Sequence, residues 1–108
     1  LGGEKMVPNY NVMGVAKAAL DASVRYLAAE YGQQGVRVNA ISAGPIRTVS
    51  AKGVGDFNSI LDSIEERAPL HRNVTTEQIG QSGLFLLSQM SSGVTGEILH
   101  VDSGFHIL

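Results

Sequence analysis

Cysteine and tryptophan are missing from these 108 residues, and proline occurs only three times. Without cysteine there is no disulfide, no thiolate nucleophile and no thiolate metal site. His71, His100 and His106 do not make up the loss, because their spacing fits no metal-ligand pattern. No metal is expected. An excess of one charge is missing too: eight Lys and Arg against ten Asp and Glu leave a net charge of −2, with the basic residues scattered, so no stripe points to nucleic acid. No apolar run approaches the ~20 residues of a membrane span, and no signal-peptide pattern opens the chain, which leads us to expect a cytoplasmic protein with no membrane partner. Also absent is Gly-x-Gly-x-x-Gly between a strand and a helix; Gly53 and Gly55 are an isolated pair. The phosphate cradle of a dinucleotide site is therefore lacking, and a start at Leu1 rather than methionine suggests a piece of a longer chain.

What remains is 44% hydrophobic, enough for a modest core. Its most informative stretch is Pro8-Asn9-Tyr10-Asn11-Val12-Met13-Gly14-Val15-Ala16-Lys17. Tyr10 and Lys17 stand seven residues apart, nearly two helical turns, so on a helix they share one face. A phenol that titrates near ~10 stays protonated at neutral pH and can donate a hydrogen bond to an oxygen gaining negative charge. A neighbouring ammonium steadies such charge and can also hold sugar hydroxyls or a phosphate. Spacing alone equally fits two ordinary surface residues of a helix.

Helix is expected from Asn9 or Tyr10 to about Tyr31, with Gly32 as its stop. Its apolar residues spread around the axis and small alanines are frequent, so it needs cover on more than one side, from a sheet and from another subunit. Val36 to Ser42 alternates as a strand should and runs into the turn Ala43-Gly44-Pro45. Ligands of open α/β sheets sit beyond the carboxyl ends of strands, which gives Gly44 to Thr48 a second reading besides a rigid turn. Val49 to Gly55 reads as a loop, and Phe57, Ile60, Leu61 and Ile64 predict an amphipathic helix capped by Asp56, either a plain surface helix or part of a lid. Thr75 and Gln78 fit a capping box that opens a helix to about Gln89, with Ile79, Leu84, Phe85, Leu86 and Leu87 as a broad apolar face. Glu97 to Val101 alternates as a last strand, and His100 and His106 read as structural residues. This order of elements is α/β, and two strands leave sheet edges that more chain must cover.

Tyr10 through Lys17, then Arg37-Val38-Asn39-Ala40-Ile41-Ser42-Ala43-Gly44-Pro45-Ile46-Arg47-Thr48, Thr95-Gly96-Glu97 and His100-Val101-Asp102-Ser103-Gly104, together resemble the carboxyl-terminal part of the NADH-dependent enoyl-acyl-carrier-protein reductases, of the short-chain dehydrogenase/reductase superfamily. The resemblance spans essentially the whole chain. It implies the carboxyl-terminal portion of a Rossmann-type doubly wound parallel sheet, residues 1–108 being the catalytic and substrate-binding part of one domain whose dinucleotide-binding half is not included. It implies reduction of the carbon–carbon double bond of trans-2-enoyl acyl-carrier-protein thioesters in fatty-acid biosynthesis, with NADH or NADPH, in a homotetramer. Tyr10 would bond the thioester carbonyl and Lys17 the nicotinamide ribose. Gly44, Pro45, Ile46, Arg47, Thr48, Val49 and Ser50 would flank the cofactor, while Met13, Ser50, Val54 and Phe57 would line the acyl channel. A further active-site tyrosine of the family would fall just before Leu1. Most short-chain dehydrogenases share Tyr-x3-Lys, but the residue four after Tyr10 is Gly14, which disfavours a carbonyl or alcohol dehydrogenase of that type. A non-catalytic piece serving only assembly is the other reading.

Overall fold

The structure, a computed structural model, describes residues 2–48 and 56–108. Its contacts divide it into two compact units, Leu1–Ala40 with Leu86–Leu99 and Ile41–Phe85 with His100–Leu108.

The first unit is built on helix α1, Asn11–Tyr31, with Val24 and Ala28 buried. Alanine, leucine and other good formers carry it, and Pro8 and Asn9 set its start. The Val7 carbonyl accepts from the Tyr10 N–H at 3.2 Å, and Asn9 has φ 62°, the proline-then-left-handed signature of a type II turn. Gly32 does not stop the helix outright. It keeps helical dihedrals, and the chain tightens into a 3-10 turn, Gly32–Gln34, before Gly35 at φ 76° ends it. Only the later glycine takes the left-handed conformation that breaks the ladder.

The expected strand from Val36 begins four residues late, because side chains divert the main chain. Arg37 forks onto three carbonyls, Leu86 at 2.8 Å, Val94 at 3.1 Å and Ser88 at 3.3 Å. Asn39 donates to the Val94 carbonyl and accepts from the Glu97 N–H, each at 3.0 Å, while the Val38 N–H goes to the Thr95 hydroxyl. A single main-chain bond, the Gly96 N–H on the Val38 carbonyl at 2.8 Å, precedes the strand, whose own pairing starts at Ala40 with its N–H donating to Glu97 O at 2.9 Å. Strand β1, Ala40–Ala43, thus pairs with β2, Ile98–Val101. At the other end the Gly44 N–H donates to Val101 O at 2.9 Å, so both chains advance together and the pair is parallel.

In the second unit, helix α2, Phe57–Arg67, buries Ile64, with Ala68 buried just past its end. Phe57 and Leu61 are half-buried and Ile60 is exposed, so the predicted apolar face is present but narrower. Asp56 occupies the N-cap position without capping: at φ 61° its carboxylate accepts from the Ser59 hydroxyl at 2.6 Å instead. The left-handed backbone turns its side chain away from the free amides. Helix α3, Thr76–Leu87, has the capping box as read, Thr75 Oγ1 accepting from the Gln78 N–H at 3.2 Å and Gln78 Oε1 from the Thr75 N–H at 3.1 Å. It ends two residues before Gln89, where Ser88 starts a 3-10 turn by accepting from the Met90 N–H. Of its expected apolar face Leu86 is buried and Ile79 half-buried, whereas Leu84 and Leu87 are exposed. The α/β class holds.

Candidate functional site

Tyr10 is the N-cap residue of α1, yet its side chain makes no capping bond. Asn11 serves the first turn, its Oδ1 accepting from the Val12 N–H at 2.8 Å. The phenol is left to other uses. It is half-buried and lines a cavity of about 290 Å³ whose wall also includes Gly2, Met6, Asn11, Gly14 and Val15. Lys17 lies on the same helix seven residues on, exposed and with no ion pair among the described residues. Tyr10 stands just ahead of α1 and Lys17 within it, and Lys17 is not among the residues that line the Tyr10 cavity. Met13 is about half exposed, not packed in the core.

The second group of expected residues belongs to the other unit. Beyond β1, Gly44, Pro45 and Ile46 are half-buried, and Arg47 and Thr48 are exposed. Arg47 ties this turn to α2, donating to Asn58 Oδ1 at 3.0 Å, next to the half-buried Phe57. Val49, Ser50 and Val54 lie outside the described residues, as does the loop that would complete a lid. Gly44 has a packing role that its place in the motif did not show: a Cβ there would meet Val74 Cγ2 at 3.1 Å and Asp102 Cα at 3.2 Å.

His100, within β2, and His106, after it, lie side by side. His106 Nδ1 stands 3.0 Å from Asp102 Oδ1, and its ring stacks on His100 with centroids 4.0 Å apart. Asp102 also accepts from the N–H groups of Gly104 at 3.0 Å and His106 at 2.9 Å, so this carboxylate organises the turn after β2. The sequence places a turn at Asp102-Ser103-Gly104, and the structure adds the carboxylate bonds that hold it. No group of His, Asp and Glu among the described residues could hold a metal ion, and no helix of the described residues is long and apolar enough to cross a membrane.

The enoyl-(acyl carrier protein) reductase family model matches residues 1–106. The chain is 70% identical over 108 residues to an NADH enoyl-acyl-carrier-protein reductase of Bacillus cereus and 67% identical over 108 residues to an NADPH counterpart of Staphylococcus aureus. It covers 100% of its own length in both cases but only 42% of theirs, so it spans about two fifths of the curated relatives it matches. The crystal structure of the Bacillus cereus enzyme with NADP+ and an indole naphthyridinone superposes with a TM-score of 0.98 at 70% identity, over 100% of this chain and 42% of that one.

Proposed function

The chain belongs to the enoyl-(acyl carrier protein) reductase family, and on that premise we propose that the protein it forms part of reduces the carbon–carbon double bond of trans-2-enoyl acyl-carrier-protein thioesters in fatty-acid biosynthesis. The observation that carries this reading is the Tyr10 phenol at the cavity beside α1, uncommitted among the described residues, with Lys17 exposed seven residues further along the helix. Residues 1–108 then count as the carboxyl-terminal catalytic and substrate-binding part of one Rossmann-type domain.

When bound, the reduced nicotinamide cofactor, NADH or NADPH, supplies a hydride to the β-carbon of the substrate. Tyr10 donates a hydrogen bond to the thioester carbonyl oxygen, which gains negative charge as the enolate forms, and the bond strengthens as that charge grows. Lys17 holds the nicotinamide ribose hydroxyls and adds positive potential along the helix. Gly44, Pro45, Ile46, Arg47 and Thr48, with Val49 and Ser50, flank the cofactor through backbone groups and the Thr48 hydroxyl. Met13, Ser50, Val54 and Phe57 line the path of the acyl chain.

A cytoplasmic homotetramer completes the proposal. What supports assembly is the apolar surface on α1, where Val12, Val15 and Tyr26 are each more than 70% exposed. The test of the site is Tyr10→Phe in the full-length protein, followed by oxidation of the reduced cofactor with an enoyl thioester. Loss of one oxyanion donor predicts a fall of about 10²–10³ in kcat. A change within twofold would remove Tyr10 from the mechanism.

A further inference from the structure

Position 14, where most short-chain dehydrogenases carry lysine, has its side-chain space filled by main chain. A Cβ built on Gly14 would stand 2.9 Å from the carbonyl oxygen of Gly2, closer than real Cβ contacts come. Gly2 in turn lies on the Tyr10 ring: a Cβ there would stand 2.5 Å from Cδ1 and closer still to Cε1. Neither atom is the loose end of a flexible chain, so a side chain at residue 2 must displace the ring or the segment. The Gly14 N–H also donates to the Tyr10 carbonyl at 2.6 Å, which fixes the helix turn on which this layering rests. The order is ring, then the bare Cα of Gly2, then its carbonyl seated on Gly14.

From this layering we infer that Gly2 and Gly14 are positioning residues for Tyr10. Gly14 lets the Gly2 carbonyl sit on α1, and Gly2 sets where the phenol ring lies and so where its hydroxyl delivers its hydrogen bond. Lysine at position 14 is incompatible with this arrangement, because the Gly2 carbonyl occupies its room. The inference rests on the reading of Tyr10 as the donor to the substrate carbonyl, and its test separates the two.

In the full-length protein, four variants are compared by steady-state kinetics: Gly2→Ala, Tyr10→Phe, the two combined, and Gly14→Ala. Misplacement of a reacting group by about 1 Å costs up to ~10²-fold, so Gly2→Ala should lower kcat by about tenfold or more while KM for the cofactor stays within about twofold. The decisive readout is the combination. With no hydroxyl left to place, Gly2→Ala should cost nothing further on top of Tyr10→Phe, whereas a merely structural role would cost the same factor in both backgrounds. Gly14→Ala should lower kcat in the same way even though alanine favours helix by up to ~1 kcal/mol, and it carries the test if Gly2→Ala fails to fold. Activity within twofold of the parent in either glycine variant overturns the inference, as does an equal loss with and without the hydroxyl. If Tyr10→Phe is itself harmless, the reading of the site fails first.

Discussion

Lys17 is exposed and uncommitted among the described residues, so its removal should be felt by a ligand before it is felt by the fold. Lys17→Ala in the full-length protein should raise KM for the reduced cofactor at least about tenfold with little change in thermal midpoint, a pattern that kinetics and a melting curve check together. Asn9 makes the opposite kind of prediction. Its φ of 62° is costly for most side chains, so Asn9→Val should destabilise by about 1–2 kcal/mol and Asn9→Gly should be nearly neutral, as read by chemical denaturation. Tyr10 and Lys17 stand out as candidates in the sequence because a helical period relates residues seven apart. Gly2, Gly14 and Gly44 were not, since the reason for each glycine is an atom elsewhere in the chain: the Tyr10 ring, the Gly2 carbonyl and the Asp102 backbone. A sequence names a glycine but not what fills the space beside it.

Among the elements, α1 and the opening of α3 followed from local rules, since a Pro-Asn turn and a Thr-x-x-Gln box act within four residues. Element ends depended on partners far along the chain. The start of β1 moved to Ala40 because Arg37 and Asn39 spend their side chains on the main chain of residues 86–97. That fork makes a quantitative claim. Lysine cannot reach three carbonyls in a fixed plane, so Arg37→Lys should cost about 1–3 kcal/mol in urea unfolding of the full-length protein. Thr75→Ala, which leaves the Gln78 N–H without its acceptor, should cost about 0.5–2 kcal/mol in the same measurement. Asp56 shows the limit of the capping rule: the right residue at the right position fails when its backbone is left-handed.

For the whole molecule, the sequence supplied the α/β class and a family, and the contacts supplied two small cores, Val24, Ala28 and Leu86 in one unit, Ile64 and Ala68 in the other. The wide apolar coverage of α1 was legible as a need for cover, and its exposed Val12, Val15 and Leu20 keep that need in view. On the proposed reading, the seven-residue offset between Tyr10 and Lys17 favours enoyl over carbonyl reduction. The direct test is oxidation of NADH and of NADPH by the full-length protein, followed optically, with a crotonyl thioester and with a 3-ketoacyl thioester. Turnover of the crotonyl substrate alone is the predicted result; turnover of the ketoacyl substrate, or of neither by a folded protein, would contradict it.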